Sequence, residues 1–218
     1  MKTPIRFTAL ALSLLLGSGA ALAADLKIGV SMSQFDDTYL TNVREYMDKH
    51  AKSYPKGDGV QLQFEDARAD VVKQLSQVEN FISQKVDAII VNPVDTASTA
   101  RISKSAIEAG IPLVYVNRRP DQKDLPKGVA AVTSDDEEAG RLQMQYIADK
   151  LGGKGKIVIL LGDLANNSTT NRTKGIKEVL AKYPGIKIEQ EQTGIWLRDR
   201  GMTLTNDWIT QGRQFDAV

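Results

Sequence analysis

Residues 88–117, with the sequence AIIVNPVDTASTARISKSAIEAGIPLVYVN, decide the fold of this chain. Two short apolar runs, 88–91 and 113–116, enclose a segment at 97–109 that is predicted to be a helix ended by Gly110. Neither run alternates polar with apolar residues, which is typical of strands buried on both faces of a parallel sheet. The stretch therefore predicts a strand–helix–strand unit.

The same alternation continues outward in both directions. Further strands are predicted at residues 26–32, 60–65, 128–133, 156–161, 186–192 and 215–218, and further helices at residues 39–54, 71–85, 137–151, 173–182 and 198–211. Strict alternation of strand and helix implies right-handed crossovers and parallel sheets with helices on both faces, which is an α/β fold. The chain divides into two coarsely similar halves, with a boundary near residues 133–136.

The composition excludes several classes of function. The chain of 218 residues carries 28 basic against 27 acidic residues, so it lacks the positive field of a nucleic-acid-binding protein. It has no cysteine and one histidine, His50, which excludes thiolate metal sites, cysteine nucleophiles and multi-histidine metal sites. No phosphate-binding glycine loop follows a predicted strand. We therefore expect no cofactor, no metal and no nucleic-acid partner.

Residues 1–23 have the three-part pattern of a secretory signal peptide. A positively charged start precedes an apolar run at residues 7–16, and Ala21 and Ala23 supply the small residues of a cleavage site. The alternative is a membrane anchor, but the apolar run is shorter than the ~20 residues that span a bilayer. We expect cleavage after Ala23 and a soluble, exported product.

Polar and aromatic side chains recur just after the predicted strands, where ligands bind in open parallel sheets. They include Ser31, Gln34, Phe35, Asp36, Asp37, Tyr39, Asn92, Asp95, Asn117, Arg118, Arg119, Ser134, Asp135, Asp163, Asn166, Trp196 and Arg198. Asp and Asn bond to hydroxyl groups, Arg presents a fixed fork of donors, and aromatic faces cover sugar-like rings. The set suits a neutral, polyhydroxylated small molecule. Any single Asp or Asn also fits a role in a turn or a helix cap.

Six segments carry a resemblance to a known family. They are KIGVSMSQFDDTYL (27–40), DAIIVNPVDTAS (87–98), AGIPLVYVNRRP (109–120), VTSDDEEAGRLQ (132–143), KIVILLGDLANNSTTNRTKGI (156–176) and QTGIWLRDRGM (192–202). The chain resembles the type I periplasmic binding proteins, the sugar-binding proteins of ABC importers, in their ribose-binding cluster. Inositol- and rhizopine-binding members are the nearest likeness. The resemblance implies two Rossmann-like lobes with parallel sheets, at residues 24–133 and 134–218, of which the second is incomplete.

The resemblance also implies which residues bind the ligand. They are Phe35, Asp36, Asp37, Tyr39, Asn92, Asn117, Arg118, Ser134, Asp135, Arg172 and Trp196, with Asp163 or Asn166 as further candidates. In this assignment Arg118 supplies a donor fork and Trp196 stacks from the second lobe. Asn117 stands where many pentose binders have Asp, which leaves the hydroxyl pattern open.

The function that the resemblance implies is capture of a sugar or cyclitol in the periplasm, by two lobes that close on the ligand, without catalysis. The partners implied are the small polyhydroxylated ligand and an ABC membrane permease, with a chemoreceptor as a further candidate, and the protein is expected to be a monomer. Three alternatives remain open: a pentose, hexose or furanose-signal receptor of the same fold, a sugar-responsive repressor, and an exported α/β enzyme.

The predicted strand at 215–218 stops at the end of the chain with no helix after it. An uncovered parallel strand would leave apolar surface in water, and members of the family continue well past this point. We therefore expect the chain to be a fragment of a longer parent protein.

Overall fold

The computed structural model describes residues 26–54 and 59–218, so the predicted signal peptide at residues 1–23 lies outside the described residues. In chain order the elements are β1 (Leu26–Met32), α1 (Thr38–Lys52), β2 (Val60–Asp66), α2 (Val71–Ser83), β3 (Ala88–Val91), α3 (Thr99–Glu108), β4 (Leu113–Val116), β5 (Val129–Val132), α4 (Asp136–Lys150), β6 (Lys154–Leu161), α5 (Asn167–Leu180), β7 (Gly185–Thr193) and α6 (Arg198–Thr210). None of the helices in the two described ranges combines the length and apolar character that a membrane span requires.

The first sheet has the strand order β2-β1-β3-β4-β5, and all its neighbouring strands are parallel. On one face, Phe81 of α2 packs in a buried cluster with Ile89 and Tyr115. On the other face, Leu40 of α1 packs with Val30 in a separate cluster. Apolar side chains thus project from both faces of the sheet, as expected for a parallel sheet between helices. The predicted α/β fold is confirmed.

The connection between β4 and β5 departs from the predicted alternation, because residues 117–128 contain no helix. The two strands are nevertheless parallel, with Leu113 paired to Val129. An extended segment of this length spans about 40 Å, whereas a strand as short as β4 covers only ~13 Å, so the chain can return without a helix. Pro120 and Pro126 also disfavour helix within the segment. The predicted elements likewise have no helix between the strands at 113–116 and 128–133, so only the general statement of strict alternation fails at this connection.

β6 and β7 form a second parallel sheet, and Ala217 makes a single bridge to Ile157 at the other edge of β6. Within the described residues, the predicted strand at 215–218 is therefore reduced to this bridge. On one face of the sheet, Trp208 of α6 packs against Val158. α4 and α5 pack on β6 and β7 through a different apolar cluster.

α5 begins at Asn167, well before the helix predicted at 173–182. Asn166 holds the N-cap position, and the Thr169 hydroxyl donates to the Asp163 carbonyl at 2.6 Å, which closes the preceding loop onto the first turn. Asn, Ser and Thr compete for backbone hydrogen bonds and favour loops in isolation. Because these residues are concentrated before residue 173, the sequence pattern placed the start of the helix six residues too late.

The two sheets begin with the same arrangement of hydrogen bonds. At the start of β1, the Lys27 N–H donates to the Asp87 carboxylate at 2.7 Å, and the Asp87 N–H donates to the Lys27 carbonyl at 2.8 Å. At the start of β6, Lys156 and Asp216 repeat the two bonds at 2.8 and 2.7 Å. Each pair is separated by 60 positions. The two halves therefore share one structural plan.

The turns that follow β2 and β7 repeat as well. In each, two successive residues adopt left-handed backbone conformations, Arg68 and Ala69 at φ 54° and 56° and Ile195 and Trp196 at φ 47° and 65°. Such angles are uncommon for residues other than glycine. Their recurrence places Trp196 at the position in the second half that Ala69 occupies in the first.

Candidate functional site

A cleft of about 650 Å³ lies between the start of α1 and the carboxyl ends of β6 and β7. Its lining comprises Asp37, Thr38, Tyr39, Leu160, Leu161, Gly162, Gly194, Trp196, Leu197, Arg198, Gly201, Met202, Thr205 and Asn206. Both halves of the chain contribute to it, and its size is that of a small-molecule site. Of the candidate residues named from the sequence, it contains Asp37, Tyr39, Trp196 and Arg198.

The loop after β1 carries four of the predicted residues in different environments. Asp37 is buried, and its carboxylate accepts the Leu40 N–H at 3.0 Å as the N-cap of α1. The Phe35 ring packs on the apolar cluster beside Leu40, with the Arg44 guanidinium 3.8 Å from its centroid. Tyr39 is exposed at the cleft, and Asp36 is exposed. The loop thus places the Asp37 carboxylate and the Tyr39 phenol at the cleft.

Arg118 is the most deeply buried charged residue of the predicted set, at 5% exposure. Its Nη1 donates to the Pro93 carbonyl at 2.7 Å. Burial lowers the pKa of its guanidinium from the ordinary value, and the charges of Asp37 and Asp163 act in the opposite direction. These carboxylates come from the loops after β1 and β6, so Arg118 lies where the two halves meet.

Asn117 explains how Arg118 reaches this position. Its φ is 65°, and the Arg118 N–H bonds back to the Val116 carbonyl at 2.7 Å, across a tight turn. Asn tolerates the left-handed conformation better than most residues. The turn directs Arg118 inward at the end of β4, so the backbone of Asn117 has a role whether or not its side chain contacts a ligand.

Asn92 holds three loops together beneath the site. It is 0% exposed, its Oδ1 accepts from the Ser33 hydroxyl at 2.6 Å, and its Nδ2 donates to the Val116 carbonyl at 3.2 Å. The residue therefore ties the ends of β1, β3 and β4 to one another. Its role as a direct ligand contact stays a prediction.

Gln74 of α2 is a positioning residue that the sequence reasoning missed. Its Nε2 donates to the Ser31 hydroxyl at 3.2 Å and to the Asn92 carbonyl at 3.0 Å, and its Oε1 accepts the Val94 N–H at 2.9 Å. These bonds fix the segment that contains Pro93, the acceptor for Arg118. The sequence does contain a sign of this role, because Gln74 falls on the buried side of an amphipathic helix. An amide buried there without a hydrogen-bond partner would cost free energy, so a partner is expected.

Ser134 and Asp135 lie outside the cleft. Both are exposed, and the Asp135 carboxylate accepts the Glu138 N–H at 2.9 Å as the N-cap of α4. They line a separate depression of about 320 Å³ together with Arg119 and Asn171. The structure therefore does not bring these two predicted residues together with Asp37, Tyr39 and Trp196.

Trp196 and Arg172 lie against each other. The Arg172 Cζ is 5.7 Å from the Trp196 ring centroid, and the Arg172 Nε donates to Asp136 at 2.9 Å. The Trp196 ring also covers Gly162, where an added β-carbon would collide with the indole. The orientation of this predicted stacking residue is therefore set by its neighbours.

Four hydrogen bonds, which we call the junction contacts, join the two halves beside Arg118. The Thr96 N–H donates to the Ala165 carbonyl at 3.4 Å, and the Asn167 N–H donates to the Thr96 hydroxyl at 3.3 Å. The Asn167 side-chain Nδ2 donates to the Arg119 carbonyl and to the Asp121 carboxylate, both at 2.8 Å. The start of α5 is thus bonded to the loops after β3 and β4.

Several buried polar atoms in these loops have no hydrogen-bond partner within the described part of the chain. They are Gln34 Nε2, Trp196 Nε1 and both side-chain polar atoms of Asn166. Buried polar groups are ordinarily paired, so this arrangement can accept a polar guest. The described residues contain no group of three or more His, Asp or Glu placed to hold a metal ion.

Comparisons with known proteins agree with this geometry. Residues 28–218 match the model of the periplasmic binding protein domain. A Rhizobium meliloti protein named for rhizopine binding is 50% identical over 194 residues, which are 88% of this chain and 62% of the relative. The xylitol-binding protein of Mycolicibacterium smegmatis is 41% identical over 203 residues, 93% of this chain and 56% of the relative.

Among solved structures, an ABC transporter solute-binding protein from Bacillus halodurans with bound myo-inositol matches with a TM-score of 0.79 and 38% identity. The match covers 90% of this chain and 66% of that one. The chain therefore spans roughly three fifths of the length of the relatives that it matches. From the domain match and these identities, the chain belongs to the periplasmic binding protein family.

Proposed function

We propose that the intact protein is an exported solute-binding protein that captures a cyclitol or sugar and delivers it to an ABC permease. The observation that carries the proposal is Arg118, a buried guanidinium that donates to the Pro93 carbonyl at 2.7 Å and on which the charges of Asp37 and Asp163, from different halves, both act. A guanidinium held in this way offers a rigid fork of donors to vicinal hydroxyls that enter the cleft. The relatives named for rhizopine and myo-inositol support a cyclitol-like ligand.

The mechanism is hinge closure without catalysis. Residues 24–133 and 134–218 belong to two lobes, and the ligand stabilises the closed arrangement because it contacts both. In this scheme Tyr39 and Trp196, which line the cleft, cover the ring, and Asp37, also in the lining, bonds to its hydroxyls. Arg118 is outside this lining, and the scheme requires lobe closure to bring its donors to the solute. Residues 1–23 act as a cleaved signal that directs the protein to the periplasm, where it works as a monomer. A chemoreceptor is a second partner for the closed form.

Calorimetric titration of the intact protein tests the proposal. The panel is myo-inositol, a methylated amino-inositol, xylitol, ribose and galactose. We expect saturable binding of at least one cyclitol, and Arg118→Lys should weaken it at least about tenfold, because an ammonium cannot present the same fork. Thermal unfolding of the variant controls for misfolding. Absence of heat with every member of the panel would contradict the proposal.

An acyclic polyol is the second candidate ligand. The xylitol-binding relative, at 41% identity, supports it. A linear polyol offers the same vicinal hydroxyls as a cyclitol but no rigid ring face for an aromatic side chain to cover. Preference for xylitol over myo-inositol in the same titrations would identify this alternative.

A further inference from the structure

We infer that Thr193 is a positioning residue, whose hydroxyl holds the Trp196 indole over Gly162 in the solute cleft. The inference rests on the proposed function and adds to it the group that fixes the aromatic side chain of the second half. It comes from a turn whose backbone conformation recurs in both halves, while the hydrogen bonds that support it differ.

The turn that carries Trp196 has an unfavourable backbone. Ile195 and Trp196 both lie in the left-handed region, at φ 47° and 65°, where β-branched and bulky residues are outliers. Such conformations persist only where the surrounding structure over-determines them. The Gly194 N–H donates to the Leu161 carbonyl at 2.8 Å, and the Leu197 N–H donates to the Gly194 carbonyl at 2.9 Å. These backbone bonds hold the residues on either side of the strained pair.

The Thr193 hydroxyl joins the strained pair to the end of β6. It accepts the Ile195 N–H at 3.2 Å and donates to the Gly162 carbonyl at 2.6 Å. One atom therefore links the first left-handed residue to the glycine that the Trp196 ring covers. A hydroxyl can do this because it accepts and donates at the same time. Thr193 does not line the cleft, so its effect on the cleft passes through the ring.

The first half shows the same turn without this hydroxyl. Asp66 precedes Ala69 by three residues, as Thr193 precedes its aromatic residue, and the Asp66 carboxylate accepts the Arg68 N–H at 2.9 Å. An ionised carboxylate only accepts hydrogen bonds, so Asp66 cannot also donate to a carbonyl. In that half the Ala69 N–H donates to the Ser33 carbonyl at 2.7 Å. The first turn is thus anchored through its backbone, and the second through the side chain of Thr193.

Loss of the hydroxyl should therefore move the ring. Without it, the Gly162 carbonyl and the Ile195 N–H lose a shared partner, and the left-handed pair can relax toward the ordinary regions of φ and ψ. The direction of a side chain follows from these backbone angles, so the Trp196 indole would no longer lie over Gly162. A ring displaced in this way is more open to water and covers the solute less well.

The test uses the intact protein with Thr193→Val, which keeps the branched shape without the hydroxyl, and Thr193→Ser, which keeps the hydroxyl. Acrylamide quenching of Trp fluorescence without solute reports on the ring, because Trp208, the other tryptophan, is 2% exposed. We expect Thr193→Val to raise the quenching constant and to weaken binding of myo-inositol, or of xylitol if the wild type binds only that, about three- to thirtyfold. Thr193→Ser should restore both values.

A double-variant cycle separates positioning of the ring from a general structural role. In a Trp196→Leu background, Thr193→Val should change affinity by less than about twofold, because the group through which it acts is gone. Thr203→Val is the matched control. It removes a hydroxyl that donates to the Asp199 carbonyl at 2.9 Å on the exposed side of α6, and it should leave quenching and affinity unchanged.

Two results would overturn the inference. One is wild-type quenching and affinity in Thr193→Val. The other is an equal loss of affinity with and without the indole at position 196, which would assign Thr193 a structural role that does not act through the ring. If the wild type binds no polyol, the proposed function fails and the inference with it. If the wild type binds and either of the two results is found, only the inference fails.

Discussion

The indole ring of Trp196 lies directly over Gly162, in the space that a β-carbon at position 162 would fill. Both residues line the cleft, and the ring is held from another side by Arg172. A glycine at the end of β6 is therefore what allows the aromatic residue after β7 to lie across the strand ends. The shape of the cleft depends on this pair.

Gly162→Ala should displace the Trp196 ring and weaken solute binding by about tenfold or more, because the added methyl overlaps the indole. Calorimetric titration of the intact protein measures the effect. Gly194→Ala is the matched control, because it also lines the cleft but its β-carbon would meet no atom closer than 3.8 Å. Equal affinities in the two variants would disprove the dependence on the ring.

Asn167→Ala should lower solute affinity without touching the solute. The variant loses the two side-chain junction contacts to Arg119 and Asp121, both 2.8 Å long. We expect a loss of about three- to thirtyfold that appears in the dissociation rate, because the proposed closure would keep these bonds between the halves in the bound form. Stopped-flow measurement of Trp fluorescence separates the two rates. A slower association rate with unchanged dissociation would contradict a closing role.

Gln74→Leu should destabilise the protein as well as weaken binding. The substitution leaves the Val94 N–H and the Asn92 carbonyl without their buried partner, which costs about 2 to 4 kcal/mol in the free energy of unfolding. Urea unfolding measures this. Gln84→Leu, at the exposed end of the same helix, is the control and should change stability by less than about 0.5 kcal/mol. Similar values for the two variants would refute the role of Gln74.

Tyr115 should make stability depend on pH in the alkaline range. Its phenol is 0% exposed and bonded to Ser103 and Thr99, and burial raises its pKa from 10.0 to about 12. The folded state therefore keeps the proton after the unfolded state has released it. The stabilising contribution is complete below about pH 10 and is lost as the pH rises through about 12, with a maximum loss of about 3 kcal/mol.

Tyr115→Phe removes this titration but keeps the ring. Urea unfolding of wild type and variant between about pH 8 and 12 should show the wild type losing its advantage as the pH rises. Parallel stability curves for the two proteins across that range would show that Tyr115 does not titrate as described.

The fold was predictable because the apolar runs encode it directly. Residues 88–91 and 113–116 are strands at the predicted bounds, since no polar residue interrupts them. The start of α5 was not predictable, because Asn and Thr favour loops in isolation, and only the structure shows the Thr169 hydroxyl closing the preceding loop onto the Asp163 carbonyl. The connection before β5 was predicted without a helix, and the structure agrees, although the two strands it joins are parallel.

The site was predictable only as a set of positions. The rule that ligands bind beyond parallel strand ends pointed to Asp37 and Trp196, which line the cleft, and to Arg118, which is buried outside its lining. It could not show that the Asn92 amide bonds to Ser33 and Val116, because that requires three loops to be assembled. It also could not separate the cap residue Asp135 from cleft residues, since Asp suits both roles equally well.

The repeated plan of the two halves has a consequence for how a solute is oriented. Asp37 and Asn166 cap the first helix after the first strand of each sheet, and Ala69 and Trp196 occupy the matching turns. The backbones are nearly equivalent, but a carboxylate in the first half corresponds to an amide in the second, and a methyl corresponds to an indole. A cyclitol is itself almost symmetrical and could enter a symmetrical frame in more than one way. If the protein binds a cyclitol as proposed, we expect these differences between the two halves to favour one orientation of it.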